Sequence, residues 1–167
     1  MIVTIWRHGQ AGSAVSDRLR ELTDTGRADL ALGGPAFRRA CEARTLPLPS
    51  RLLHSAWLRT TQTAALVEQA LGTGDVSADD ALLPGAGVGG VDACLERQFQ
   101  SQAAPDHLLL VSHQPLVSRL VDHYLGERGR VPPLSPGGLA TLSLDAPAAA
   151  CAWLLFWALP PTYEVCA

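Results

Sequence analysis

Residues 1–10 read MIVTIWRHGQ, in which an apolar run gives way at Arg7 to charged and polar residues. Residues 2–6 form a continuous, β-branched apolar run, which is typical of a strand buried on both faces of a parallel sheet. Arg7, His8 and Gly9 follow at once, so a cation and an imidazole stand where this first strand ends. The triplet alone is weak evidence of function, because it also occurs in ordinary turns.

The composition is that of an ordinary globular protein. The 167 residues are 47 % hydrophobic and 17 % charged, with a formal net charge of −3 at pH 7. This length predicts a single domain, residues 1–167, whose core needs no disulfides. No block of like charge stands out, which argues against a nucleic-acid partner. All 13 basic residues are arginine, so Schiff-base chemistry on a lysine is excluded.

The sequence predicts a cytoplasmic protein with no membrane partner. The apolar run at 2–6 is too short for a signal peptide, and the run at 152–161 is too short to span a bilayer. Its cysteines are widely separated and show no metal-binding spacing, so we expect small buried residues in a reducing compartment. They are Cys41, Cys94, Cys151 and Cys166.

Strands and helices alternate along most of the chain, which predicts an α/β fold. Thr23 carries a helix-start signal, and Gly33-Gly34-Pro35 predicts a break in the helix that follows. Ser55 is the expected N-cap of a helix that Gly72 ends. Further strands are predicted at 50–55, 81–83, 107–112, 139–146 and 151–159, and further helices at 91–100 and 115–126. The expected architecture is a three-layer α/β/α sandwich around a mostly parallel central sheet.

Two predicted strands end in a histidine, the first strand in His8 and the strand at 107–112 in His113. If these strands are neighbours, both imidazoles lie at the carboxyl edge of the sheet, where α/β proteins bind ligands. The strand at 50–55 ends at the same edge and leads into Arg59. Four side chains would then surround one small anion: Arg7, His8, Arg59 and His113. A phosphoryl group suits them, because guanidinium groups match its oxygens.

Each residue also has an ordinary structural interpretation. His113 before a helix resembles a capping residue, and an arginine on an amphipathic helix, such as Arg59, usually faces solvent. His54, His107 and His123 are assigned to a helix surface or a strand edge, and the sequence indicates no partner for them. The histidines show no HxH or HExxH spacing and no nearby acids, so we expect neither a metal nor another cofactor.

Four blocks occur in order and at characteristic intervals: RHG at 7–9, LTDTG at 22–26, SAWLRTTQTA at 55–64 and VSHQPLV at 111–117. Together they resemble the histidine phosphatase superfamily, also called phosphoglycerate mutase-like. The small size, the stretch SDRLRELTDTG and the SHQPLV form are most similar to its phosphohistidine phosphatase (SixA-type) branch. The resemblance runs from Ile2 to about Leu125.

This resemblance implies a role for each matched residue. His8 would be the nucleophile that takes the phosphoryl group as a transient phosphohistidine. Arg7 and Arg59 would bind the phosphoryl oxygens, and His113 would bind the group and stabilise charge in the transition state. Two further residues are candidates for substrate contact: Gly9, through its backbone, and Arg20, which matches an arginine just before the LT block of that branch. Arg20 would otherwise be a surface arginine.

The sequence departs from the wider superfamily where many members carry a Glu or Asp as general acid. The corresponding residues 79–93 read DDALLPGAGVGGVDA, with glycine and small apolar residues in the expected place. Asp79 and Asp80 remain as candidates, and Asp92 flanks the region. A leaving alkoxide needs a proton, because its conjugate acid has a pKa near that of water, roughly 15.7. Imidazole, with a pKa of about 6.5, barely needs one.

The missing acid therefore favours phosphohistidine on a protein as the substrate of a metal-independent phosphatase. Two alternatives stay open. One is a broad phosphomonoesterase for small molecules, and the other is a non-catalytic module that binds a phosphorylated ligand or protein in the same pocket.

Overall fold

A computed structural model describes residues 1–167 and contains one six-stranded sheet and four α-helices. The elements are β1 Ile2–Arg7, α1 Asp24–Glu42, β2 Arg51–His54, α2 Leu58–Leu71, β3 Val76–Ala78, α3 Val88–Gln100, β4 His107–Ser112, α4 Leu116–Leu125, β5 Leu139–Leu144 and β6 Ala152–Ala158. The strand order is β3-β2-β4-β1-β5-β6, parallel as far as β1, with β5 and β6 antiparallel. The predicted α/β fold with a mostly parallel sheet is confirmed. None of the helices has the length and apolarity that crossing a membrane would take.

The sheet separates two hydrophobic cores, because successive side chains of a buried strand point to opposite faces. In β1, Val3 and Ile5 pack in the core formed with α3 and α4, whereas Trp6 packs in the core formed with α1 and α2. The apolar residues of β4 alternate in the same way. Both faces of the central strands are therefore covered, which explains why β1 and β4 are continuous apolar runs.

Helix α1 runs without interruption through Gly33-Gly34-Pro35, so the predicted break is wrong. A Cβ on Gly34 would lie 2.5 Å from the Cβ of Ala70 in α2, and a Cβ on Gly33 would lie 2.5 Å from the Tyr163 ring. The two glycines therefore permit close packing of α1 against its neighbours. Burial of the apolar residues before and after Pro35 offsets the local cost of a proline within a helix, about 3 kcal/mol.

Tyr163 connects the C-terminal segment to the end of β1. Its hydroxyl donates to Gly137 O at 3.1 Å, and Gly137 N donates to His8 O at 2.9 Å. A Cβ on Gly137 would lie 3.0 Å from the Tyr163 hydroxyl, and Gly137 has a φ of 83°. The backbone of His8 is thus held from the side of β5 by a loop that itself packs against Tyr163.

Two smaller expectations are also wrong. Trp57 is the N-cap residue of α2, so Ser55 does not cap that helix. Residues 81–83 do not form a strand; β3 lies earlier, and Asp80–Leu82 is a short 3-10 helix. Gly72 ends α2 as predicted, in the left-handed conformation with a φ of 69°.

The start of α1 packs directly on the loop that follows β1. Thr23 N donates to Gln10 O at 2.9 Å, and the Thr23 hydroxyl accepts from Gly26 N at 3.0 Å, which caps the helix. A Cβ on Gly26 would lie only 2.3 Å from Gln10 O. The glycine of the LTDTG block is therefore required by the close approach of the helix to the loop that carries His8.

Replacement of Gly26 by alanine is expected to lower the free energy of unfolding by about 1–3 kcal/mol, because the Gln10 backbone must move away from the new methyl group. Gly89→Ala in α3 is the matched control, since a Cβ there meets no atom within 4 Å. Alanine at that helical position should be neutral or stabilise the protein by about 0.5–1 kcal/mol. Urea unfolding measures both, and equal values for the two variants would contradict the role of Gly26.

Candidate active site

The two histidines that end β1 and β4 lie side by side. The parallel register of these strands pairs Arg7 with Ser112, and His8 N donates to Ser112 O at 3.0 Å. The ring centroids of His8 and His113 are 5.1 Å apart in an edge-to-face arrangement. The prediction that both imidazoles meet at the carboxyl edge of the sheet is confirmed.

The hydrogen bonds of His8 determine which ring nitrogen carries its proton. Nδ1 lies 2.7 Å from Gly9 O, which can only accept, and Nε2 lies 3.2 Å from Arg59 Nε, which can only donate. The proton is thus on Nδ1, and Nε2 carries a lone pair. Burial, together with the charges of Arg59 and Arg7, outweighs the opposing effect of the Gly9 hydrogen bond and lowers the pKa of His8 to about 4. His8 is therefore uncharged at neutral pH.

Arg59 is buried rather than solvent-facing, although it stands near the start of a helix. Its Nη1 donates to the backbone oxygen of Asp17 at 2.7 Å, and its Nη2 lies 3.4 Å from Oδ2 of the same residue. The guanidinium carbon lies 4.8 Å from the centre of a Trp57 ring, within the range of a cation–π contact. Burial lowers the pKa of Arg59, and Asp17 opposes that shift.

His113 has one partnered and one unpartnered ring nitrogen. Its Nε2 lies 2.9 Å from the Ser55 hydroxyl, whereas Nδ1 is buried with no hydrogen-bond partner. Burial is the main cause, with smaller contributions from His8 and Arg59, of a pKa of His113 that is lowered to about 3. His113 is not the cap of α4, whose N-cap residue is Pro115.

Arg7 completes the group of four side chains that the sequence predicted. Its Nη1 donates to Leu134 O at 2.9 Å, and its Nε is buried without a partner. Burial lowers the pKa of Arg7, and its charge also lowers the pKa of both His8 and His113. A buried guanidinium N–H with no protein acceptor is a donor that an anion can use.

Gly9 and Arg20 support the loop around His8. Gly9 N donates to the Thr63 hydroxyl at 3.1 Å, and a Cβ on Gly9 would lie 2.9 Å from a methyl carbon of Leu30. Arg20 donates from Nε to Gly12 O at 2.7 Å and from Nη1 to an oxygen of Asp17 at 2.9 Å. Contact of either residue with a substrate remains a prediction.

Three side chains of this site were not recognised as functional in the sequence: Asp17, Ser55 and Trp57. Ser55 and Trp57 lie within the SAWLRTTQTA block, between the end of β2 and Arg59. Their positions in a block that carries the family resemblance could have indicated that they belong to the site. Asp17 lies in the stretch SDRLRELTDTG, but its contact with Arg59 bridges 42 positions of the sequence and could not be read from that stretch.

The acidic residues of the 79–93 region have other partners. Asp79 accepts from Ala81 N at 2.8 Å and lies 3.3 Å from the Cys94 sulfur, and Asp80 is exposed. Asp92 accepts from the Tyr124 hydroxyl at 2.8 Å. A general acid from this region therefore remains a prediction without a contact to support it.

The other histidines differ from the sequence-based expectation. His107 is fully buried and is bound by the Thr4 hydroxyl at 2.8 Å and by Pro47 O at 2.7 Å. His54 is also buried, with Nδ1 at 2.8 Å from Ser55 O. His123 lies 3.4 Å from an oxygen of Asp92. His107 is thus held by partners that are distant in sequence and His54 by the residue that follows it, whereas His123 Nε2 is buried without a hydrogen-bond partner.

A cavity elsewhere in the fold is separate from this group of side chains. A cavity of about 670 Å³ lies beside α4 and is lined by Arg119, His123 and Arg128 among others. None of the four predicted residues lines it. The burial and mutual arrangement of charged groups distinguish the cluster at the end of β1 instead.

The chain is similar to solved structures of histidine phosphatases. The protein histidine phosphatase SixA, solved with tungstate, has 28 % sequence identity and a TM-score of 0.77 over 94 % of this chain and 96 % of that chain. A Nakamurella multipartitia protein described as SixA has 26 % identity and a TM-score of 0.69 over 95 % of both chains. Mycobacterial glucosyl-3-phosphoglycerate phosphatase Rv2419c, solved with VO3, has 16 % identity and a TM-score of 0.69 over 95 % of this chain and 99 % of that chain.

The resemblance to the histidine phosphatase superfamily is thereby confirmed, and the chain has the phosphoglycerate mutase-like fold. SixA proteins, which are named as phosphohistidine phosphatases, are among these similar structures. No protein-family model matches the sequence, and no curated protein matches it. The neighbours support phosphatase activity for this chain without defining its substrate.

The buried histidines make stability depend on pH. Burial lowers the pKa of His8 and His107 to about 4 and that of His113 to about 3, from 6.5 in the unfolded chain. Below pH 6.5 the unfolded chain binds protons that the folded chain does not, so the free energy of unfolding should fall as the pH decreases toward 4. With all three residues contributing, the slope should approach about 4 kcal/mol per pH unit near pH 5.

Urea unfolding at a series of pH values measures this slope. His107→Gln should reduce it by about one third, because one of the three proton-linked groups is removed. A free energy of unfolding that stays constant from about pH 7 to about pH 5 would contradict the predicted pKa values.

Proposed function

We propose that this chain is a metal-independent phosphatase that forms a phosphohistidine on His8 and removes phosphoryl groups from phosphohistidine on a protein. The observation that carries the proposal is the uncharged His8 ring, whose Nε2 lone pair faces Arg59. A deprotonated imidazole nitrogen is a good nucleophile toward phosphorus, and cationic groups beside it stabilise the charge of a transferring phosphoryl group.

In the first step, the Nε2 lone pair of His8 forms a bond to phosphorus while the bond from phosphorus to the leaving nitrogen breaks. The electron pair of the broken bond stays on that nitrogen. Arg59 Nε occupies the lone pair in the free protein, so its N–H must turn to a phosphoryl oxygen before attack. The unpartnered Nε of Arg7 and Nδ1 of His113 are further polar groups for the phosphoryl oxygens.

In the second step, water attacks the phosphorus of phospho-His8, inorganic phosphate leaves, and the imidazole regains its Nε2 lone pair. The hydrogen bond from His8 Nδ1 to Gly9 O persists through both steps and holds the ring in one orientation. Neither step requires a protein group to protonate the leaving atom, provided that the leaving group is an imidazole.

The choice of substrate rests on two observations. The acids of the 79–93 region contact other residues or are exposed, which favours a leaving group that departs without protonation. SixA, with 28 % identity, is named a protein histidine phosphatase. A broad phosphomonoesterase and a phospho-ligand binding module are the outcomes against which the proposal is tested.

The test offers the purified protein a phosphohistidine peptide, p-nitrophenyl phosphate and a phosphoglycerate in parallel, with a chelator present. We expect hydrolysis of the phosphohistidine peptide with the highest kcat/KM. His8→Gln should lower kcat by roughly 10³-fold or more, as the loss of a catalytic nucleophile does. The wild-type protein should become transiently labelled by a 32P-phosphohistidine peptide, and the variant should not. His123→Gln is the matched control and should retain full activity.

Activity that survives His8→Gln would contradict the mechanism. Equal kcat/KM for the three substrates would establish a broad phosphomonoesterase. Binding of the phosphohistidine peptide without turnover would establish a binding module.

A further inference from the structure

Asp17 is the carboxylate that contacts the predicted phosphoryl site. Its backbone oxygen accepts from Arg59 Nη1 at 2.7 Å, and its Oδ2 lies 3.4 Å from Arg59 Nη2. The side chain of Asp17 is 53 % exposed, whereas that of Arg59 is 5 % exposed. Asp17 therefore lies on the solvent side of Arg59, with His8 on the buried side.

The neighbours of Asp17 keep its carboxylate charged. Arg20 donates to Oδ1 at 2.9 Å from the same loop, and Arg59 faces Oδ2 from α2. These contacts lower the pKa of Asp17, with the Arg20 hydrogen bond as the largest cause. The uncharged ring of His113 is also close enough to interact with this carboxylate. At neutral pH Asp17 can accept a hydrogen bond but has no proton to give, so it does not replace the missing general acid.

The geometry of phosphoryl transfer fixes the side on which the leaving group departs. The attacking and leaving atoms are roughly in line through phosphorus, so the leaving group lies opposite His8 Nε2. The Arg59 guanidinium contacts His8 Nε2 through Nε and Asp17 through its two Nη atoms, so the exposed Asp17 carboxylate lies across this guanidinium from His8. Its Oδ2, which makes only the long contact to Arg59, retains acceptor capacity.

We propose that Asp17 is a specificity-determining residue that accepts a hydrogen bond from the distal ring N–H of the leaving imidazole of a phosphohistidine. In this substrate one ring nitrogen bears phosphorus and the other bears a proton, so the ring is cationic. When the bond from phosphorus to nitrogen breaks, its electron pair stays on the ring, which leaves as neutral imidazole with the proton it already carried.

This inference rests on the proposed function and narrows it. A carboxylate at the exit favours a cationic leaving group and repels an anionic one, such as the carboxylate-bearing part of a phosphoglycerate. The Asp17 carboxylate would therefore attract a cationic leaving group and repel an anionic one, and both effects favour phosphohistidine over phosphoglycerate. No proton transfer to the departing nitrogen is needed.

The test compares Asp17→Asn with wild type on a phosphohistidine peptide and on p-nitrophenyl phosphate. The ratio of kcat/KM for the peptide to that for p-nitrophenyl phosphate should fall on the order of tenfold or more, as expected for loss of a charge-assisted hydrogen bond. Asp17→Glu should recover part of the ratio. Asp145→Asn is the matched control, since Asp145 is an exposed carboxylate beside β5, and should leave the ratio unchanged.

The pH profile separates this role from a purely structural one. The descending limb of kcat reports ionisation in the enzyme–substrate complex. Asp17 should hold the substrate ring protonated, so Asp17→Asn should move that limb to lower pH. If Asp17 only positions Arg59, Asp17→Asn would lower kcat but leave the descending limb of the pH profile at the same pH.

Several outcomes would overturn the inference. An equal loss on both substrates would show that Asp17 only positions Arg59, and no loss on either would show that it has no role. Failure of the wild-type protein to hydrolyse the peptide would overturn the proposed function as well. Wild-type hydrolysis of the peptide with an unchanged ratio in Asp17→Asn would overturn the inference alone.

Discussion

The hydrogen bond from Arg59 Nε to His8 Nε2, 3.2 Å long, is the contact on which the other features of the site depend. It brings a permanent cation against an imidazole in a buried position, an arrangement that is stable only while the imidazole stays neutral. The surrounding contacts follow from this constraint. Gly9 O fixes the His8 proton on Nδ1, and Asp17 lies against the guanidinium. The site therefore keeps His8 neutral, with a lone pair on Nε2.

That contact exists because three strands end at one edge of the sheet. Parallel pairing of β1 with β4 and of β4 with β2 aligns their carboxyl ends. Each strand then delivers one part of the cluster, His8, His113 and, through the first turn of α2, Arg59. The continuous apolar runs of β1 and β4 and the four sequence blocks were sufficient to predict this convergence. Periodicity and residue order are local properties, and they determine which residues stand at strand ends.

Features that depend on contacts between distant segments were not predictable in the same way. Gly33-Gly34-Pro35 has a strong local tendency to break a helix, yet packing against Ala70 and Tyr163 maintains α1 through it. Ser55 has the local signature of an N-cap, but its hydroxyl is 2.9 Å from a ring nitrogen of His113 in another strand's loop. In both cases the tertiary contact outweighs the local preference.

The packing of Tyr163 has a consequence for the evolution of this sequence. The Cβ positions of Gly33 and Gly137 lie 2.5 and 3.0 Å from atoms of the Tyr163 side chain, so neither glycine can acquire a side chain while the aromatic ring remains. Gly137 in turn donates to the carbonyl oxygen of His8. These three positions, separated by as many as 130 residues in the chain, should therefore change together among homologues or not at all. Selection on the position of the loop that carries His8 would then extend to the C-terminal segment, which lies far from it in the sequence.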